Sequence, residues 1–381
     1  REFSDTLAWP FYTCYHGIRT TIKHGSFIKE TYRVNYAKQF FIQWHLYLRY
    51  NISPRTYYIY KMWEPKVRKN AEHYFSRHQV FSLDRWLHKH LTCAQYEDKL
   101  SFFESCQQNN IPTPEVLFHC DSPKDIDAIQ IPKCALFIKD RFGRKGNFAQ
   151  KWEYVNESKV WKRHAREFPE SEFKQHLKLT FKDTPFIAQE LLQSSEDIKN
   201  LSNNALCTLR IVTFKFADSK ATHLFSVIRI PNGNSDVDNL SQGGLAAGIK
   251  SDGTLTKARS LDPRQAHTAT HPETDVQIEG TSLRGWDEAI QIALRAHEQL
   301  SEHYTIGWDI AMTPEGPSLI EGNRGWGADV IQLGINTPIG LTEYPSLMCQ
   351  AIEERLIKHP DQAILPLAKK LREMPNKTHG E

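Results

Sequence analysis

The chain contains no C-x-x-C pair, although it has seven cysteines, at 14, 93, 106, 120, 134, 207 and 349. Their odd number and scattered placement argue against a disulfide framework and a cysteine-based zinc site, and point to free thiols in a reducing cytoplasm. Long hydrophobic runs are missing too. No apolar stretch approaches the roughly 20 residues a bilayer span needs, and mean hydropathy is −0.55, so no transmembrane segment is expected. No charged-apolar-small leader opens the chain, and the initial "REFS" leaves the true start undefined. The 17 histidines form no H-E-x-x-H, and the G-x-x-x-x-G-K-[ST] phosphate loop does not occur. Internal repeats and low-complexity segments are absent.

What is present is 381 residues with 40% hydrophobic and 24% charged side chains, enough for two or three domains around substantial cores. The net charge is only +3, but the basic excess is regional: 16 Lys and Arg stand against 8 Asp and Glu through residue 100. About half of the 43 aromatics fall in residues 1–93, in segments such as "FFIQWHLYLRYNISPRTYYIYKMW". Their helical spacing, broken by a turn at Asn51 to Pro54, predicts a helical N-terminal region packed on the rest. A packed layer would hide the aromatics and leave the basic side chains wet. Binding of nucleic acid is not expected. Contact with a membrane surface or with glycan-assembly machinery would run through this basic region.

From Ala94 the texture changes. Residues 94–130 read as a linker holding a helix that ends at Asn109-Asn110, then a Pro-punctuated entry to a strand. Residues 131–193 contain strand "CALFIKD", a basic glycine loop "RFGRKGN", a returning strand "FAQKWEY", a polar helix and strand "PFIAQELL". Residues 194–345 contain the long strands "ALCTLRIVTFKF" and "THLFSVIRI", then "GGLAAGI", an amphipathic helix over 284–304, and the hairpin "TIGWDIAMT"/"GPSLIEGN". A C-terminal helix and tail fill 346–381.

The hairpin carries the first chemical signal. With a tight turn at Pro314-Glu315-Gly316, Asp309 lies near Glu321, and Asn323 projects to the same face as Glu321. Two carboxylates side by side repel and are costly to bury unless a cation compensates them. Few, hard oxygen donors suit magnesium, which completes its shell with water and nucleotide phosphates. The bland alternative has Asp309 capping a turn and Glu321 pairing with a surface lysine. The second signal is Lys139, at the end of an apolar strand and just before Arg141, Gly143, Arg144, Lys145 and Gly146. That loop offers N–H groups and cations suited to phosphates. Gly243-Gly244, in "DNLSQGGLAAG", permits close backbone approach and is a candidate wall of an acceptor site, with an ordinary hairpin connection as the alternative. His271 of "THPET" reads as a loop-ordering hydrogen-bonder more than a base, within reach of a substrate.

The order of these elements is more specific than any one of them. Asp98-Lys99, "IPTP", Lys139, the basic glycine loop, "AQELL", "TLRIVT" and "WDIA…LIEGN" follow one another in a series that resembles the ATP-grasp superfamily. The likeness is strongest to its sugar-transfer-associated group, through "TLRIVTF", "HPETDVQIEG" and "GWDIAMTPEGPSLIEGN". It covers residues 94 to 340, and its last third is the most specific part.

The resemblance implies an α+β fold in which two lobes clamp ATP, preceded here by the aromatic-rich helical region. It implies that Lys99 and Lys139 contact phosphates, that Gln189, Glu190, Leu191 and Leu192 form the hinge reading the adenine edge, and that Asp309, Glu321 and Asn323 hold Mg2+. Many such ligases carry an arginine two residues before the metal-binding aspartate, where this chain has Gly307. The oxyanion-stabilising charge must then come from Arg210, Arg229 or Arg324. The implied reaction joins a small-molecule carboxylate to an amine through an acyl phosphate. A hydroxyl kinase, or a non-catalytic nucleotide-binding partner of a glycan-assembly system, would keep the same nucleotide site. Self-association as a homodimer is left open.

Overall fold

The structure, a computed structural model, describes residues 2–89, 91, 97–143, 148–202, 205–232, 243–265 and 267–358, with side chains of the first helix described from Cys14 onward. Arg144, Lys145 and Gly146 of the basic loop, most of the segment before Gly243, and Cys93 lie outside the described residues.

The N-terminal region is helical, as its spacing predicts: α1 (Glu2–Tyr32), α2 (Tyr36–Tyr50), α3 (Pro54–Ile59), α4 (Pro65–Arg68) and α5 (Arg77–Leu87). Its starts follow capping chemistry. Asn35 and Ser53 accept from main-chain N–H groups three residues on, Pro54 follows Ser53, and Ser76 with Gln79 forms a capping box. Tyr57, Tyr58, Tyr60 and Trp63 are buried in one cluster with Ala246 and Leu333 of the larger, C-terminal lobe, which fixes the helical region to it.

After α6 (Lys99–Gln108) come the strands of a smaller lobe: β1 (Val116–Cys120), β2 (Leu136–Asp140), β3 (Gln150–Val155), β4 (Val160–Arg163), β5 (Arg166–Phe168) and β6 (Phe186–Glu190). They form an antiparallel sheet of order β1-β6-β2-β3-β4-β5, with α7 (Glu170–Phe181) against it. The sequence reading makes a polar helix of the whole stretch after β3. The structure corrects this: β4 and β5 precede the helix. Both are too short to show a period. What holds β4 is Trp161, fully buried and stacked on Phe173 of α7 at 4.4 Å.

The larger lobe is a second antiparallel sheet of order β10-β9-β8-β7-β11-β12. Its strands are β7 (Thr208–Phe214), β8 (Thr222–Ile230), β9 (Leu245–Gly248), β10 (Arg259–Ser260), β11 (Thr305–Thr313) and β12 (Gly316–Asn323). The period of two divides the sheet into unlike faces. Leu209, Ile211, Ile306, Trp308 and Ile310 join α8 (Trp286–Leu300) in one core. Val212, Phe214 and Val227 turn the other way, toward α5, α9 (Ala328–Ile335) and α10 (Tyr344–Lys358). Arg210 and Asp309, flanked along their strands by α8-facing residues, are carried on this second face.

Candidate active site

The β11–β12 hairpin has the register that brings the acidic groups together: Asp309 pairs with Glu321 and Gly307 with Asn323. The pairing is not a simple continuation from the turn. Ile310 pairs with Leu319, so Ile320 is a bulged residue that carries Glu321 across from Asp309. A bulge of this kind re-aims side chains beside a site.

On its other side β11 pairs with β7, which sets Arg210 directly opposite Asp309. Arg210 grips the carboxylate with two nitrogens: Nε donates to Oδ1, and an Nη donates to Oδ2 at 2.8 Å. Its remaining Nη donates to the Trp326 carbonyl at 2.8 Å. Arg229, one strand further out, donates to Asp309 Oδ2 at 2.9 Å and to Thr208 Oγ1 at 2.7 Å. Asn323 Nδ2 reaches Asp309 Oδ2 at 3.3 Å and Glu321 Oε1 at 3.1 Å. The cation that offsets the buried Asp309 is therefore a pair of guanidiniums. Burial alone would raise its pKa, but Arg210 and Arg229 hold it below the ordinary carboxylate value. Thr208 and Trp326 were not singled out by sequence reasoning. Thr208 shares the face of Arg210 by alternation, but nothing local marks the Trp326 carbonyl.

Lys139 is the penultimate residue of β2 in the smaller lobe and is buried. Burial pulls its pKa down from 10.5 to about 8, with Glu321 raising it and Lys99 lowering it. A cation of one lobe thus faces the carboxylate of the other, with a second lysine near. Lys99 starts α6, and its Nζ donates to the carbonyls of Gly143 at 2.5 Å and Arg141 at 3.3 Å. Arg141 is itself committed: it donates to Asp98 at 2.7 and 2.6 Å and to Asp121 at 2.8 Å. Against burial, which would raise it, this clamp lowers the Asp98 pKa to about 2. Gly143 packs where a Cβ would lie 2.7 Å from Asp140, so the loop leaves β2 too tightly to admit a side chain there.

The family model described as sugar-transfer associated ATP-grasp matches residues 82–344. The chain belongs to this family. No curated protein matches it. Among solved structures it is similar to an L-amino acid ligase from Bacillus licheniformis, at 11% identity and TM-score 0.37, covering 67% of this chain and 48% of that one. It is also similar to D-alanyl-alanine synthetase A from Vibrio cholerae, at 12% identity and TM-score 0.41, covering 69% and 66%. A third is an ATP complex of D-alanine–D-alanine ligase from Bacillus anthracis, at 9% identity and TM-score 0.41, covering 69% and 68%. The chain spans about half to two thirds of the length of these proteins.

The remaining positions can now be placed in the ATP-grasp fold. Gln189 and Glu190 belong to β6, in the interior of the small sheet: Gln189 pairs with both Val116 and Phe137, and its Nε2 donates to the Pro114 carbonyl at 3.2 Å. Glu190 accepts from the Glu115 N–H at 3.0 Å. The strand ends there, so Leu191 and Leu192, half-buried beyond it, are the stretch of main chain that leaves the ladder between the lobes. Gly243, at φ 103°, and Gly244 lead into β9, and Gly243 accepts from Asn232 at 3.3 Å. His271 is fully buried. It accepts from the N–H groups of Glu273 and Thr274 at Nδ1, so its proton lies on Nε2 and is donated to the Pro231 carbonyl at 2.9 Å. Both ring nitrogens are engaged by main chain, the loop-ordering arrangement. Arg324 is 3.9 Å from Glu97.

Gly307 stands where the ATP-grasp resemblance leads one to expect an arginine, and the sheet leaves no room for a side chain there. A Cβ would lie 2.4 Å from Trp326 Cβ and 2.8 Å from Arg210 Cδ. The Arg210 side chain, from β7, lies over the glycine. Gly307→Ala is expected to cost about 1–3 kcal/mol of stability through overpacking, read as a lower Tm.

Magnesium fits part of the donor set. Glu321 and Asn323 are half-buried and offer oxygens, whereas both Asp309 oxygens already accept from arginine. A separate trio, Asp84, His88 and His303, lies buried where the end of α5 meets the chain entering β11. The Tyr304 N–H donates to His88 Nε2 at 2.9 Å, leaving the proton on Nδ1 to donate to the Asp84 carbonyl at 2.9 Å. With both nitrogens so engaged, His88 ties α5 to β11 and has no lone pair for a metal.

Proposed function

We propose that the chain is an ATP-dependent, ADP-forming carboxylate–amine ligase acting on small molecules. The observation that carries this is the convergence, on one face of the large sheet, of Glu321 and Asn323 with two guanidiniums, opposite a buried lysine from the other lobe. The six described cysteines are free thiols, which suits a reducing cytoplasm.

ATP would lie between the lobes, its adenine edge on the main chain of 191–192 and its phosphates near Lys139 and Lys99. Lys139 gives a positive charge in a desolvated position, where it attracts a phosphate strongly. Magnesium held by Glu321 and Asn323, with Asp309 sharing its charge, would neutralise the β- and γ-phosphates. A substrate carboxylate oxygen attacks the γ-phosphorus, the bond to the β-phosphate oxygen breaks, and ADP leaves. The amine nitrogen then adds to the acyl carbon, an arginine stabilises the oxyanion, and phosphate departs as the amine proton passes to solvent. Arg210 and Arg229 are held in place by Asp309, Thr208 and Trp326, so they require no reorganisation during the reaction.

Hydroxylamine tests the reaction type. With MgATP and a panel of carboxylates, an acyl phosphate is trapped as a hydroxamate, with ADP and phosphate released in equal amounts. A stable phosphorylated product with neither hydroxamate nor free phosphate would establish a hydroxyl kinase instead.

Lys139 gives this reading a pH signature. Its charge is present below about pH 8 and is lost as pH rises, so ATP affinity should fall by about tenfold per unit above pH 8. Lys139→Arg should flatten that profile, and Lys139→Met should weaken ATP much more than adenosine. Stability without nucleotide moves the other way. Between pH 8 and 10.5 the unfolded chain binds the extra proton, so this group's contribution to stability rises with pH. Calorimetric titration over pH 7.5 to 9.5 reads the affinity; equal loss of ATP and adenosine binding in Lys139→Met would make the lysine structural.

A further inference from the structure

The α1–α2 hairpin buries glutamines between its helices and exposes apolar stripes on its outside. Part of its internal contact is small and polar: Thr21 and Gly25 on α1 meet Gln43 and Gln39 on α2, and Gly17 packs on the Phe40 ring, while Ile28 and Leu46 are buried in the cluster with Tyr57, Tyr58 and Trp63. A Cβ at Gly25 would lie 3.0 Å from the Tyr36 ring, so the helices approach closely. The buried amides are satisfied within the hairpin and its anchor. Gln43 Nε2 donates to Thr21 Oγ1 at 2.9 Å, Gln39 Nε2 to the Gly25 carbonyl at 3.0 Å, and the Tyr58 hydroxyl to Gln39 Oε1 at 2.9 Å. The outer faces carry apolar stripes. Tyr15, Ile18 and Ile22 form one stripe at i, i+3, i+7 on α1, and Phe41, Trp44 and Leu48 form another at the same spacing on α2; Ile22 is 76% exposed and Phe41 62%.

A water-facing helix pair hides such residues and exposes its glutamines. The reverse arrangement, with small residues letting backbones close and amides bonding between helices, suits apolar surroundings. The sequence-based expectation that this layer hides its aromatics holds for Tyr57, Tyr58 and Trp63 and fails for these two stripes. No helix among the described residues is long and apolar enough to cross a membrane.

Charge selects the occupant. Residues 14–63 hold eight Lys and Arg against a single acidic residue, Glu30. Arg19, Lys23 and Lys29 on α1 and Lys38 and Arg49 on α2 are exposed beside the apolar stripes. A second copy of this surface would meet like charge with like. Nucleic acid would stack on the aromatics but would leave Ile18, Ile22 and Leu48 without a partner. An anionic lipid surface satisfies both features, because acyl chains take the apolar side chains while headgroups take the lysines and arginines. We propose that the α1–α2 hairpin docks the protein in-plane on an anionic membrane. Through the Tyr57–Tyr58–Trp63 cluster, the large lobe would then be held at a fixed orientation to the bilayer.

Sedimentation of the full chain with vesicles tests this, using pure phosphatidylcholine and a mixture in which about a third of the lipid is phosphatidylglycerol. The anionic vesicles should bind at least about tenfold more tightly than the neutral ones, and raised salt should weaken binding. The double variant Ile22→Asp, Phe41→Asp, at exposed positions away from the nucleotide site, should lose at least about tenfold in vesicle affinity with Tm and ATP binding unchanged. Arg19→Glu with Lys23→Glu should act in the same direction. Equal or absent binding to both vesicles, or unchanged binding by the Asp variant, overturns the proposal. So does a concentration-dependent dimer, in light scattering without lipid, that the same variant abolishes, since the face would then belong to a second copy.

Discussion

Glu321→Gln is expected to lower turnover by about a hundredfold or more. The substitution keeps the shape of the side chain and removes its charge. Its principal contacts are the Asn323 amide at 3.1 Å and the field of Lys139. Neither secures the fold, because Glu321 is half-buried at the end of a strand whose apolar anchor is Leu319. Stability should therefore change by less than about 1 kcal/mol while activity collapses. The lost charge should also lower the Lys139 pKa further, so the pH at which ATP affinity begins to fall shifts down. Wild-type turnover in this variant at saturating magnesium would remove Glu321 from the chemistry.

Asp309→Asn is the second large effect, and it falls on stability as well as activity. It leaves Arg210 and Arg229 facing a neutral amide inside the sheet, and breaking a buried ion pair on one side costs about 3–5 kcal/mol. The double variant Asp309→Asn, Arg210→Met should recover part of that loss without recovering activity. The wild-type pH profile gives an independent check. The folded-state pKa of Asp309 is lowered, so its contribution is present above the ordinary carboxylate pKa of about 3.9 and is lost as pH falls through the lower folded value. Acid unfolding of the wild type should steepen there, and the Asn variant should lack that step. A Tm within a degree of wild type for Asp309→Asn would show that the Asp309–Arg210–Arg229 cluster contributes little to the fold.

The contrast between these residues shows what was legible in the sequence. β8, β11 and β12 fall where alternation and the Pro314-Glu315-Gly316 turn put them, and Asp309 does meet Glu321. A hairpin is local, so its two strands and their approximate pairing follow from its own turn. The bulge at Ile320 that delivers that pairing was not readable, since nothing in "LIEGN" distinguishes a bulged isoleucine from a regular one. Still less so was the clasp of Arg210 on Asp309, 99 residues apart in the chain. It depends on which strand lies beside β11, and strand order is set by the whole sheet. Two acidic groups on one hairpin point to a metal cation, but the sheet places two arginines next to Asp309. β4 and β5 escaped because segments of four and three residues carry no period. The exposed aromatics of α1 and α2 escaped because helical spacing shows which residues share a face, not what that face meets.

Isotope transfer tests the central claim most directly. A carboxylate selected by the hydroxylamine screen is labelled with oxygen-18 in its carboxyl group and turned over with MgATP and an amine. If its oxygen attacks the γ-phosphorus and an acyl phosphate breaks down to the amide, the released inorganic phosphate carries label, and the amide keeps the other labelled oxygen. Unlabelled phosphate released during amide formation would contradict the account.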